Sequence, residues 1–391
     1  MSNDVRRTTR PRVVVVPDSF KGSASARDVA AAMAEGVRAA AHGLAPEQQP
    51  VVHALPFADG GEGTLDALLG AWDVTAREAE TTDALGRPVV ARWGLSPDGT
   101  TAVVEAAEAN GLPQVSDVPL QPLEASTRGV GVLARAAIES GCTEVLLCIG
   151  GSATTDGGAG LLSALGVRLL DADGVELPDG GGSLHRLDRV DTDGLDPRAA
   201  AVRWRIACDV TNPLVGERGA AAVFGPQKGA TPDDVTALDT GLRRLAEVLH
   251  AHTGMDVATA PGTGAAGGMP AGMCALLGAE ISPGGELVAD TLGLPALLED
   301  VDVVLTGEGR IDSQSFGGKV VDTVRRLTPA HVPVLVVAGS VGASDTELAE
   351  AGITGAFSIA NGAEDLDQLR TGAVAAITRT TTQVMRVVLH R

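Results

Sequence analysis

Hydrophobic and polar positions along the chain fall into short apolar runs that each end in a glycine-rich, acid-bearing segment. Val13–Val16 leads into Asp18-Ser19-Phe20-Lys21-Gly22-Ser23, and Val51–Leu55 into Asp59-Gly60-Gly61-Glu62-Gly63. Val145–Ile149 leads into Gly150-Gly151-Ser152-Ala153-Thr154-Thr155-Asp156-Gly157-Gly158, and Val303–Leu305 into Thr306-Gly307-Glu308-Gly309-Arg310-Ile311-Asp312. Continuous Val/Ile/Leu runs mark parallel strands buried on both faces, and open α/β sheets take ligands beyond the carboxyl ends of their strands. The pattern predicts that these loops gather at one sheet edge.

Between the runs the pattern switches period. Ser25, with Asp28 three residues on, opens an Ala-rich helix to about Ala41, stopped by Gly43, so Lys21–Ser23 precede a helix N-terminus. With Val51–Leu55 this makes a β-α-β unit, and Thr64–Leu69 begins the next helix. From Val74 to Val104 short alternating segments with turns at Leu85-Gly86-Arg87-Pro88 and Pro97-Asp98-Gly99 predict antiparallel hairpins. Helices are predicted at Thr127–Ser140, Gly160–Leu165, Pro232–His252, Gly267–Leu277 and Leu294–Leu298, with short strands and turns over Val167–Ala207. Strands at Val303–Leu305, Val334–Ala338 and Gly355–Ser358, with helices near Lys319–Arg326 and Asp345–Ala351, restore the parallel pattern.

At 391 residues two domains are expected. The fold class is α/β: a Rossmann-like parallel-sheet domain assembled from 11–66, 126–165 and 293–391, interrupted by an α+β domain from 67–125 and 166–292.

Composition narrows the partners. Hydrophobic residues reach 44% but aromatics only 2%, with no Tyr, so the cores are built of Ala, Val and Leu and base-stacking platforms are not expected. A net charge of −20 repels phosphate backbones, which argues against nucleic acid. Cys142, Cys148, Cys208 and Cys274 have no C-x-x-C pairing and read as buried thiols of a reducing compartment. No apolar run reaches the about 18 residues of a membrane span, and Met1–Arg12 is polar and basic, unlike a signal peptide. A cytoplasmic monomer or homodimer acting on a small molecule is the expectation.

Glycines admit close backbone approach to an anion, a following helix start favours negative charge, and the carboxylates require a cation or proton, which together point to a phosphate and Mg²⁺ site. Gly150–Gly160 is read as an anion cradle in which Ser152, Thr154 and Thr155 donate hydroxyls, with Asp156 as a base or the holder of a metal-bound water. A loose turn is the plainer reading. Asp18 and Lys21 are either a salt link or a base and a lysine that meets a transferred phosphoryl group, with Ser19 beside them for the substrate. Asp59, Glu62, Glu308 and Asp312 are the candidate Mg²⁺ ligands, against a solvated acidic turn and a surface ion-pair network. Lys319 joins Gly150, Gly151, Gly157 and Gly158 as a candidate for binding the phosphates. Arg128 and Lys228 are candidate anchors for a substrate carboxylate, with Arg310, Asp209 and Asn212 also assigned to the substrate.

Familiar nucleotide motifs are missing. Gly317-Gly318-Lys319-Val320 lacks the upstream Gly and the following Ser/Thr of a Walker A loop, and Gly262-Thr263-Gly264-Ala265-Ala266-Gly267 follows Pro261 and no strand. The seven His show no metal-ligand spacing.

The chain resembles the bacterial type I glycerate kinase family. The likeness is carried by Pro17–Ser23, Ala58–Thr64, Gly150–Gly158, Cys208-Asp209 with Asn212-Pro213-Leu214, Phe224–Ala230, Gly264–Gly268, and Thr306–Asp312 with Gly318-Lys319. It implies a two-domain α/β enzyme closing around a cleft and using ATP and Mg²⁺ to phosphorylate D-glycerate, typically to 2-phosphoglycerate. Thr155 stands where Asn is common, Val215 where Cys is often seen and Ser315 where Thr is usual. Competing functions are a non-catalytic metabolite sensor, disfavoured because the acids are all present, and a nicotinamide-dependent oxidoreductase, disfavoured by the lack of a strand-anchored fingerprint.

Overall fold

The computed structural model describes residues 10–316, 319–360, 362 and 365–390; Gly317 and Gly318 of the motif before Val320, and most of the basic leader, lie outside them. Its strands are β1 (Arg12–Pro17), β2 (Val51–Ala54), β3 (Arg77–Thr82), β4 (Pro88–Leu95), β5 (Thr101–Glu105), β6 (Glu144–Cys148), β7 (Arg168–Leu170), β8 (Arg189–Asp191), β9 (Arg203–Ala207), β10 (Glu280–Ser282), β11 (Val303–Ile311), β12 (Val334–Val341) and β13 (Gly355–Ser358). The chain divides into two compact units.

The first unit takes the residues up to Asp59, Asp66–Ala71 and those from Gly285 onward. Its sheet has the order β13-β12-β11-β1-β2 and is parallel throughout. Val13, Val14, Val15 and Val16 are at most 1% exposed, as the unbroken apolar run requires of a strand covered on both faces. Ser25 caps the helix Ala26–Ala40, its side chain accepting from the Asp28 amide, and the helix buries Val29, Met33 and Val37. That helix packs on Ala373–Leu389 where Gly36 leaves no room for a Cβ, which would stand 2.7 Å from Thr381. One expectation changes here. β11 continues through Gly307-Glu308-Gly309-Arg310 to Ile311, pairing with β12 as far as Ile311 and Val341, so Glu308 and Arg310 stand on a strand and not on a loop.

The second unit takes Gly60–Leu65 and Trp72–Gly284. Its sheet, β10-β9-β6-β5-β4-β3, is parallel from β10 to β5 and antiparallel from β5 to β3. The hairpins expected over 74–104 are therefore present. β7 and β8 form a separate antiparallel pair. Residues 126–165, expected with the first sheet, lie here, because β6 pairs with β5 and β9. An apolar run announces a buried strand but not its partners. The loop after β6 thus does not share a sheet edge with those after β1, β2 and β11. The core packs Leu133, Leu147, Leu161, Trp204 and Leu242 together, Trp204 donating its indole N–H to the Ala199 carbonyl at 2.7 Å. No helix among the described residues is long and apolar enough to cross a membrane.

Candidate active site

In the first unit a cavity of about 540 Å³ opens at the carboxyl ends of β1, β11 and β12. Asp18, Ser19 and Lys21 enter it from the turn after β1. That turn is fixed by backbone bonds: the Asp18 amide donates to the Gly307 carbonyl of β11 (2.8 Å), and the Phe20 amide to the Ala24 carbonyl (2.9 Å). Asp59 lines the cavity from the segment after β2, Glu308 and Arg310 from the end of β11, and Lys319 from the start of the helix Val320–Leu327.

The carboxylates here strain against their surroundings. Burial raises the Asp18 carboxyl to about 6, and the charges of Asp59 and Glu308 push the same way, against a 2.6 Å bond from the Ser19 amide. Burial also raises Glu308, opposed by the Ser315 hydroxyl and Lys319 and reinforced by Asp312 and Asp59. Glu308 is 7% exposed, and its Oε1 has no hydrogen-bond partner among the described residues. A buried carboxylate oxygen left unbonded costs free energy unless something absent from the protein satisfies it. Lys21 is exposed, and Arg310 is ion-paired with Asp312 at 3.0 Å.

Among the described residues no three His, Cys, Asp or Glu converge as a ready metal cage. Of the four expected Mg²⁺ ligands, Asp59, Glu308 and Asp312 belong to the first unit, and Glu62 is an exposed residue of the second. The donor set still fits the ion. Mg²⁺ is usually held by one or two carboxylates with waters and substrate phosphates, and Glu308 Oε1 and Asp59 are oxygen donors of that kind.

The glycine loop of the second unit uses its polar groups on itself. Asp156 is fully buried; its carboxylate accepts from the Thr127 amide and hydroxyl (both 2.8 Å) and from the amides of Gly158 (3.1 Å) and Gly160 (3.2 Å). Burial nevertheless raises its pKa. Expected as a base or the holder of a metal-bound water, Asp156 ties the loop to the start of the helix Arg128–Ile138 through these bonds. Thr154 Oγ1 accepts from Asn110, and Ser152 Oγ accepts from Lys228. Thr155 Oγ1 is buried without a partner among the described residues, Gly150 is half-buried and Gly151 is exposed. Gly158 has a left-handed backbone, and a Cβ there would stand 2.7 Å from the Met269 carbonyl.

The expected substrate anchors are similarly engaged. Lys228 is 3% exposed, and Arg128 holds Asp179 through two bonds of 2.6 and 2.8 Å. Asp209 accepts from the Gly284 amide (2.8 Å), and Asn212 donates to the Arg218 carbonyl (2.8 Å), each shaping its own loop. Sequence reasoning missed Asn110, Thr127 and Glu105; Glu105 is 4% exposed and accepts from the amides of Gly63 and Leu65. Only Thr127 carried a signal, its place as the first residue of a predicted helix.

Residues 13–389 match the model of the glycerate kinase family. The chain belongs to that family. It is 45% identical over 369 residues to a glycerate 2-kinase of Escherichia coli K12, covering 94% of this chain and 95% of that one. It is 40% identical over 370 residues to a glycerate kinase of Bacillus subtilis 168, again covering 94% and 95%. The crystal structure of a candidate glycerate kinase 2 from Salmonella typhimurium LT2 superposes with a TM-score of 0.84 at 41% identity, over 98% of each chain. As a glycerate kinase family member the chain is a kinase, and the expected resemblance and α/β class hold.

Proposed function

We propose that this chain transfers the terminal phosphoryl group of ATP to the 2-hydroxyl of D-glycerate with Mg²⁺ bound. Family membership supports the acceptor, and the name of the Escherichia coli relative supports the 2-position. The observation that carries the reading is the convergence of Asp18, Asp59 and Glu308 with Lys21 and Lys319 around one cavity at the strand ends. Phosphoryl transfer leaves a protein little covalent chemistry to perform; it asks for placement and for charge set where the transition state spreads it. Lys21 and Lys319 supply positive charge for the moving phosphoryl group. Asp18 orients the acceptor hydroxyl and takes its proton, a task suited to a carboxyl raised to about 6. Asp59 and Glu308 would hold Mg²⁺, which would supply positive charge against the phosphates. Arg310 and Ser19, at the same cavity, meet the acid. In the second unit, Asp156 and Lys228 stiffen the Gly150–Gly158 loop.

The test is ADP release coupled to D-glycerate, with and without Mg²⁺, followed by phosphorus NMR of the product. Mg²⁺-dependent formation of 2-phosphoglycerate is expected. A 3-phosphate product overturns the regiochemistry, and ADP binding without turnover points to a sensor.

A further inference from the structure

The cavity of the first unit is larger than a three-carbon acid needs. Its volume, about 540 Å³, lies within the about 300–1,000 Å³ typical of sites for much bigger ligands. Its lining is of two chemistries. Asp18, Lys21, Asp59, Glu308, Arg310, Lys319 and Arg370 bring charge. Phe20, Ile359 and Ala373, which are 3%, 3% and 1% exposed and continuous with the core, add apolar wall together with half-buried Leu369.

Gly309 lines the same cavity and differs from its glycine neighbours. At Gly307 a Cβ would strike the Val337 carbonyl, and at Gly339 the Gly309 carbonyl, so strand packing explains both. At Gly309 the nearest atoms to a Cβ would be Lys21 N and Phe20 Cα, each at an ordinary 3.7 Å, and the backbone is not left-handed. Neither packing nor conformation requires glycine there. What a side chain at this position would occupy is the space between β11 and the turn after β1, inside the cavity.

We propose that this cavity is the nucleotide site, with the base against Phe20, Ile359, Leu369 and Ala373 and the phosphates lying over the bare Gly309 backbone toward Lys21 and Lys319. The inference rests on the kinase reading above and gives the donor a place other than the Gly150–Gly158 loop, where Ser152, Thr154 and Asp156 are already bonded within the protein. A donor so placed explains both the apolar part of the lining and the missing side chain.

The experiment is calorimetric titration of the full chain with ADP and Mg²⁺, for the parent, Gly309→Ala and Leu369→Asn, beside melting curves and steady-state kinetics. Gly309→Ala is expected to melt like the parent, since its Cβ meets only ordinary contacts. Both variants should weaken ADP binding by about tenfold or more, the scale of one methylene gained or lost in a fitted pocket, with the KM for D-glycerate unmoved. Unchanged ADP affinity in both variants overturns the proposal, as does a raised glycerate KM with ADP binding intact, which would give the cavity to the acceptor alone. Failure of the parent to phosphorylate glycerate would sink the activity assigned above, and the ADP titration would still judge the cavity.

Discussion

The ammonium of Lys228 donates to the backbone carbonyl of Thr154 at 2.6 Å, deep inside the second unit. A second bond reaches Ser152 Oγ, and burial drives the amine down to about 7 despite the nearby charge of Asp156. In the unfolded chain the proton stays on to about 10.5, so the unfolded state holds more protons between those values and stability rises with pH across that window. The burial cost is full below about 7 and is relieved toward 10.5. Lys228→Met removes the titration. Denaturant unfolding should find the variant most favourable relative to the parent on the acid side of 7 and progressively less so at alkaline pH; a pH-independent difference would remove Lys228 from this role.

Asp156→Asn should cost stability without any direct catalytic effect. An amide offers one acceptor oxygen and presents an N–H₂ group to donors already aimed at the carboxylate, from Thr127, Gly158 and Gly160. The loss is expected to be about 2–3 kcal/mol, the scale of unmet buried donors. Urea unfolding measures it, with turnover per folded molecule as the control.

Asp18→Asn should do the reverse. The folded carboxyl ionises near 6 and the unfolded one near 3.8, so its contribution favours the fold below 3.8 and is lost as pH rises through 6. At pH 8 the neutral amide is therefore expected to stabilise the fold by on the order of 1–3 kcal/mol. Turnover should fall at least about a hundredfold, as when a positioned base is removed. Melting curves beside kinetics decide it, and a variant that is both active and no more stable would show Asp18 to be an ordinary surface acid.

Asp59→Asn should raise the Mg²⁺ concentration needed for half-maximal rate by about tenfold, because the amide keeps the shape and loses a hard anionic ligand. Glu62→Gln serves as a comparison, since Glu62 is exposed and belongs to the other unit. Metal titrations with equal half-saturation in the parent and Asp59→Asn would return Asp59 to structure.

Local signals were legible in the sequence where a few adjacent residues determine the outcome. Ser25 and Asp28 announced the helix Ala26–Ala40, and Val13–Val16 announced a buried strand. Pairing was not legible. The run Val145–Leu147 has the composition of β1 or β11, and only its register against Val103 and Arg205 assigns it to the other sheet. Gly307-Glu308-Gly309-Arg310 reads as a loop because glycine and charge are poor strand formers, yet parallel pairing with β12 carries it as strand. An aspartate in a glycine loop looks the same facing a metal or facing inward. Asp156 meets four amide and hydroxyl donors, and two of them come from Thr127, 29 residues away in sequence, which its own loop does not announce.

The pairing of Val13 with Val303 sets an order of events during synthesis. β1 and β2 are made before the long stretch of the second unit, but the strand that lies between β1 and β12 is made only after it. Domains tend to fold as units while the chain emerges, and most of the second unit is one continuous stretch from Trp72 to Gly284. It can be complete while the first sheet still lacks its central strand. The newborn protein therefore carries the Val-rich edge of β1 unpaired through most of its translation, and the cavity holding Asp18 and Glu308 is the last part to form. Stalled or truncated chains should consequently aggregate through that edge, leaving a folded but inactive second unit behind.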